Sequence, residues 1–387
     1  MKRINSIDIV RGIVMAIMAV DHVRDLVHVD SIGQSPTNLE TTTPILFFTR
    51  WITYLCAPIF VFLAGTSAYI TFRKNNNISL TRSFLIKRGL YLILLELIVV
   101  NFALFFDPGF HTIIFEVIAT IGFGFIVLGL LLNTSAKWLG IIGLVILFCH
   151  NLSPFIPLAA NSIAKAILNL FFSPGALPIF SNRVFVMAYP PIPWLGIMLV
   201  GFASGKLFEL MEEKRKSLFI KIGIGALLLF IVIRYINIYG DSVPWSSQKS
   251  AVFTFLSFMN VTKYPPSLAF CLVTLGIMFL MLSFVEGARN KLLQIASVYG
   301  KVPLFYFIIH FFLIHFIMVV IMLLQGFSWS QLDFASGTFG RPKGVQSGLE
   351  LWAIYLIWVS VVAILYKPCL WLGIYKQEHK QWWLKYI

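Results

Sequence analysis

Charged residues are scarce in this 387-residue chain: Asp, Glu, Lys and Arg together make up 12% of it. A soluble domain runs at about 25% charged, so a water-soluble fold of this length would expose apolar surface and aggregate. Cysteine is scarcer still. Cys56, Cys149, Cys271 and Cys369 stand singly in apolar stretches, without the C-x-x-C spacing of a zinc or redox site or the density of a disulfide scaffold. Acidic residues number 16 against 30 basic ones. The net charge of +14 does not point to nucleic acid, because the basic residues flank apolar runs instead of clustering on a soluble face. No Walker loop, nucleophile elbow, HExxH or Gly-rich dinucleotide motif occurs.

What is present is apolar. Hydrophobic residues make up 59% of the chain, Phe alone occurs 37 times, and the mean hydropathy is +0.87. Apolar runs predict membrane spans near 7–23, 51–72, 90–106, 113–132, 138–152, 192–208, 218–238, 267–285, 303–325 and 349–366. The fold class is therefore an all-α polytopic helix bundle of about ten spans, a single domain over 1–387, with both termini cytoplasmic. That topology puts more than two thirds of the 30 Lys and Arg on the inner side, as inner loops require. It also makes membrane lipid, anionic at that face, a partner. The start, Met1-Lys2-Arg3 and an apolar run, reads as a retained first helix, because Arg11 and Asp21-His22 interrupt it. The longer outer segments (24–50, 153–191, 239–266 and 327–348) read as lids over an outward cavity.

Ionisable groups inside spans mark sites by default. Asp8 and Arg11, three apart on the first helix, share a face and can pair. Arg11 and His22 are eleven apart, close to three turns, so they lie on one stripe about 16 Å apart along the axis. Asp21 adjoins His22 and points elsewhere on the helix, as does Asp25, while Arg24 and His28 carry the polar end outward. His28 reads first as a loop residue. Glu96 sits mid-span in LLELIVVNF, where it is either paired with a buried cation, Arg11 being one, or functional. His310 and His315 are five apart and diverge by about 140° on a helix, so at most one faces a shared cavity. Lys87, Arg88 and Lys301 stand at inner helix starts, where they bind phosphates or simply obey the charge bias.

Six ordered blocks carry a family resemblance: SIDIVRGIVMAIMAVDHVRD (6–25), TRWITYLCAPIFVFLAGTSAY (49–69), KRGLYLILLELIVVNF (87–102), YPPIPWLGIMLVGFASGKLF (189–208), KYPPSLAFCLVTLG (263–276) and YGKVPLFYFIIHFFLIH (299–315). They resemble the bacterial branch of the heparan-α-glucosaminide N-acetyltransferase-like membrane proteins. The resemblance implies a transmembrane acyltransferase that moves an acyl group, an acetyl above all, from cytoplasmic acyl-CoA to a sugar or glycan outside. Related O-acyltransferases show an Arg, ten residues and a His on their first helix, a spacing that Arg11 and His22 reproduce. The lysosomal relatives place their key His after that helix, so His28 stays open beside His22 as the base.

The resemblance then implies His22, Asp21 and His28 as catalytic candidates and Arg11, Lys87 and Arg88 as the acyl-CoA phosphate site. Arg50, Tyr264, Glu96 and His310 are the acceptor-site candidates. Acyl-CoA is the co-substrate, no metal is called for, and a base of pKa near 7 suits the proton transfer. The location implied is a bacterial plasma membrane, with a homodimer among the open assemblies and no nucleic-acid partner. The competing class is a transporter or flippase, which mid-membrane Glu96 and Pro-broken helices fit equally. A non-catalytic scaffold is a third reading.

Overall fold

The apolar runs become helix, except that the one at 113–132 opens in a strand over Thr112–Phe115. The computed structural model describes residues 4–159, 161–180, 182–288 and 290–386; the start Met1-Lys2-Arg3 and Arg289, one of the basic residues expected on the inner side, lie outside them. In chain order the elements begin with α1 (Asn5–Val27), α2 (Pro44–Ile52), α3 (Cys56–Asn75), α4 (Ile78–Leu95), α5 (Asn101–Phe105), β1 (Thr112–Phe115), α6 (Val117–Leu130) and α7 (Ala136–Cys149). They continue with α8 (Ile163–Phe172), β2 (Gly175–Phe180), β3 (Arg183–Met187), α9 (Pro191–Ser204), α10 (Glu212–Ile236) and α11 (Ala251–Met259). The last four are α12 (Leu268–Val285), α13 (Lys291–Lys301), α14 (Pro303–Leu324) and α15 (Leu351–Glu378). Among the described residues, eight helical segments are long and apolar enough to cross a membrane, and α6 is a shorter apolar helix. The chain is an integral membrane protein.

α1 has the position its charge demands. It packs against α13, α14, α15, α3 and α12, and its Ile9, Val10, Val14, Ala19 and Val23 are fully buried. Protein surrounds it, whereas α10 at the periphery keeps Leu228, Ile231 and Val232 exposed. Close contact with α13 depends on two glycines. A Cβ on Gly12 would lie 1.7 Å from the Ala296 carbonyl oxygen, and one on Gly300 1.8 Å from that of Asp8. Without side chains there, two helix backbones meet at a distance that small residues alone permit.

The all-helical expectation needs one correction. At the end of the bundle where α1 finishes, β1 pairs parallel with β3, and β2 pairs antiparallel with β3, in the order β1-β3-β2. β2 and β3 fall in the 153–191 segment read as a lid, but β1 takes the start of the run read as a span at 113–132; backbone groups outside helices must find such partners. The rest of that end is held by buried arginines. Arg234 donates to the carbonyls of Val243, Ser257, Phe258 and Asn260. Arg341, 1% exposed, donates to the His28 carbonyl at 2.6 Å and to Ser31 Oγ at 2.7 Å, tying the 327–348 segment to the end of α1.

Candidate active site

The residues of α1 open onto two cavities, one at each end of the Arg11–His22 stripe. The Arg11 end holds a cavity of about 290 Å³ lined by Arg11, Arg88, Lys301, Lys376 and Lys385. Arg11 donates to Ser67 Oγ at 2.9 Å and stands 3.9 Å from Asp8, so the expected Asp8–Arg11 pair is present. Arg88 donates to the Lys385 carbonyl at 2.8 Å, while its buried Nε has no protein partner. Lys87 points elsewhere: it is exposed and lines neither cavity. Five cations around one pocket, one with an unmet donor, form a site suited to phosphate.

The His22 end holds a chamber of about 130 Å³. Asp21 and His22 come from the last turns of α1, Arg50 from α2, Glu116 from the β1–α6 junction, and Lys263 and Tyr264 from the segment before α12. Phe60, Val117 and Phe307 line both cavities. An apolar collar therefore separates a basic pocket from a polar chamber.

A hydrogen-bond relay orients His22. Its Nδ1 lies 2.6 Å from His310 Nε2, and His310 Nδ1 lies 3.1 Å from the Tyr306 carbonyl oxygen. A carbonyl only accepts, so His310 Nδ1 carries the proton. His310 is fully buried with no carboxylate paired to it among the described residues, which keeps it neutral and makes its Nε2 an acceptor. His22 Nδ1 must then donate, which leaves the His22 Nε2 lone pair as the free one. Stacking on Phe311 at 4.3 Å fixes the ring plane.

The remaining candidates sort by position. Asp21 does not orient His22; it is held by Arg24 at 2.7 Å and by Arg50. Arg50 and Tyr264 line the chamber. His310 lies behind His22 and lines neither cavity, and His315 diverges from it to stack on Phe106 at 3.8 Å. His28 lines a separate small cleft of about 40 Å³ beyond the end of α1. There, burial pushes its imidazole below the ordinary histidine value. Glu96 is 1% exposed and lines neither cavity. In place of the expected Arg11, it takes the backbone N–H groups of Glu116 and of Ala119, the latter at 2.9 Å. It thus caps α6 from another helix, at a five-residue π-turn, Glu96–Val100. Glu116, the N-cap residue, makes no cap with its own side chain and is free for the chamber.

Two charged chamber residues were not among the site candidates: Glu116, which the sequence places only at the start of the fourth span, and Lys263. Lys263 had a signal: it is a lysine beside a span on the side where basic residues are few. Among the described residues, no group of three or more His, Cys, Asp or Glu is placed to hold a metal ion. Among family comparisons, residues 3–239 match the heparan-alpha-glucosaminide N-acetyltransferase catalytic domain, a stretch that includes Arg11, His22, Arg88 and Glu116 and ends before Lys263 and His310. No curated protein matches the chain. Membrane helices, a fixed histidine and a match over more than half its length together place this chain in the heparan-alpha-glucosaminide N-acetyltransferase catalytic family.

Proposed function

We propose that the protein transfers an acetyl group from acetyl-CoA, bound at the Arg11 end, to an acceptor sugar or glycan bound at the His22 end. Family membership implies acetyl transfer. The observation that carries the rest is the placement of the tautomer-fixed His22 in a chamber sharing three wall residues with a basic pocket. The cations at Arg11, Arg88, Lys301, Lys376 and Lys385 would hold the nucleotide phosphates. The pantetheine arm would pass the Phe60–Val117–Phe307 collar. Arg11 and His22 stand about 16 Å apart along the helix, the scale of such an arm when extended.

In the reaction, His22 Nε2 takes the proton from the acceptor hydroxyl or amine as that atom attacks the thioester carbonyl carbon. The tetrahedral intermediate collapses, the C–S bond breaks, and the CoA thiolate leaves with the proton returned by His22. Lys263 and Arg50 supply positive charge in the chamber where the oxyanion develops. The basic end faces the cytoplasm, where acyl-CoA is made, and a bacterial plasma membrane is the setting.

The test is acetyl transfer from labelled acetyl-CoA by protein purified in detergent. His22→Gln should abolish transfer while leaving acetyl-CoA binding in place. Full transfer by that variant would overturn the assignment. Acceptor uptake without any acetylated product would favour the transporter class.

A further inference from the structure

α15 ends at Glu378, and the chain turns at His379, whose backbone is extended (φ −118°, ψ 147°). Residues 379–386 then leave α15 and reach α4, which supplies Phe84 and Arg88 to the wall of the Arg11 cavity. The root of this strap is fastened to its own helix. His379 stacks on Tyr375 at 3.9 Å, and Gln381 Nε2 donates to the Tyr375 hydroxyl at 3.0 Å.

The tip is a single 3-10 turn, Trp382–Lys385, and α4 holds it. The Lys385 carbonyl accepts from Arg88 at 2.8 Å, Leu384 is buried, and the Tyr386 ring lies 6.1 Å from Phe84 and 5.7 Å from Tyr91. The outward side is in contact with little: Trp382 is 74% exposed. One stretch of the pocket wall, with the cation Lys385 on it, is therefore a piece of chain held by one carbonyl bond, one leucine and one ring. A segment with so few buried contacts opens at a small fraction of the global unfolding cost.

The latch and the ligand can share Arg88. Its NH1 is taken by the neutral Lys385 carbonyl, while its buried Nε meets no acceptor among the described residues. A phosphate oxygen arriving at Nε forms the stronger, charge-assisted bond and leaves the carbonyl bond in place. The strap can thus close again over an occupied pocket.

We propose that residues 379–386 are a gating strap for the basic pocket, which swings from α4 to admit a phosphate-bearing ligand and latches again behind it through Arg88 and Tyr386. That this ligand is acetyl-CoA rests on the acyltransferase reading; the gate does not.

Binding kinetics distinguish a gate from a simple contact. Acetyl-CoA and, separately, ATP are mixed rapidly with the full-length protein in detergent and with Tyr386→Ala, Tyr386→Phe and Lys385→Gln, thermal melting reporting that each variant folds. Tyr386 does not line the pocket, so its loss weakens the latch alone. In Tyr386→Ala, association and dissociation should both quicken by roughly 3- to 10-fold, the worth of an aromatic contact, with Kd little changed. Tyr386→Phe should behave as the wild type. Lys385→Gln keeps the carbonyl latch but loses a pocket charge, so its dissociation should quicken and its association should not. Unchanged rates in Tyr386→Ala, or faster dissociation alone, would overturn the gate. Faster exchange of ATP in a protein that does not bind acetyl-CoA would keep the gate and remove the donor reading, and binding of neither nucleotide would overturn both.

Discussion

Replacing His310 with Leu removes the acceptor for His22 Nδ1–H without adding bulk to the chamber, which His310 does not line. His22 then loses its 2.6 Å partner, and with it the bias toward the tautomer that leaves Nε2 free. One oriented hydrogen bond of this kind is worth roughly 1–3 kcal/mol when its loss strands a buried donor, or about 10- to 100-fold in rate. A neutral partner should matter less than the carboxylate of a serine-protease triad, whose loss costs about 10⁴. In a labelled acetyl-CoA transfer assay, kcat should fall by about that 10- to 100-fold with the KM for donor little changed. His310→Gln, which retains an acceptor oxygen, should recover part of the loss. Adding His22→Gln to His310→Leu should then cost no more than His22→Gln alone, because the pair acts as a unit. An unchanged kcat in His310→Leu, or additive losses in the double variant, would refute the relay.

Arg88→Gln, which removes the pocket's unmet guanidinium donor, should raise the KM for acetyl-CoA by roughly 10-fold or more with a smaller change in kcat, read in steady-state kinetics; an unchanged KM would remove Arg88 from the donor site. Glu96→Leu strands the α6 N–H groups of Glu116 and Ala119, so melting in detergent should show a loss of roughly 2–5 kcal/mol, whereas a merely slower enzyme of normal stability would indicate a chemical role. His28 contributes in the opposite direction to a salt-bridged histidine. Its value is lowered in the fold by burial, so the unfolded chain binds the extra proton first, and stability is full above about pH 6.5 and declines as pH falls below it. Melting temperature should therefore drop more between pH 7.5 and 5.5 in the wild type than in His28→Gln.

How much of this was legible in sequence depends on whether the cause is local. Nine of the ten apolar runs fall in helical segments, because hydropathy is a property of single segments; the run at 113–132 opens in a strand instead, and among the described residues eight segments are long and apolar enough to span. Arg11 and His22 fall at opposite ends of one stripe because helical pitch fixes their spacing. The angular divergence of His310 and His315 was likewise readable, but the residue that meets His22 was not, since 288 positions separate the partners. Glu96 misled for another reason. A pattern of side chains suggests a side-chain cation, while its partners are backbone N–H groups at a helix start that no residue type announces. Lys263 depends on the folding of its own segment around Asp241 and Arg234, and the small sheet depends on β1 meeting β3 across a long connection.

The central claim is that the acetyl group crosses from the Arg11 end to the His22 end. Proteoliposomes with labelled acetyl-CoA sealed inside and a membrane-impermeant amino sugar outside test it directly. Labelled acetyl-sugar should accumulate outside, and the signal should vanish with His22→Gln. Product formed only when donor and acceptor share a compartment would contradict passage through the collar.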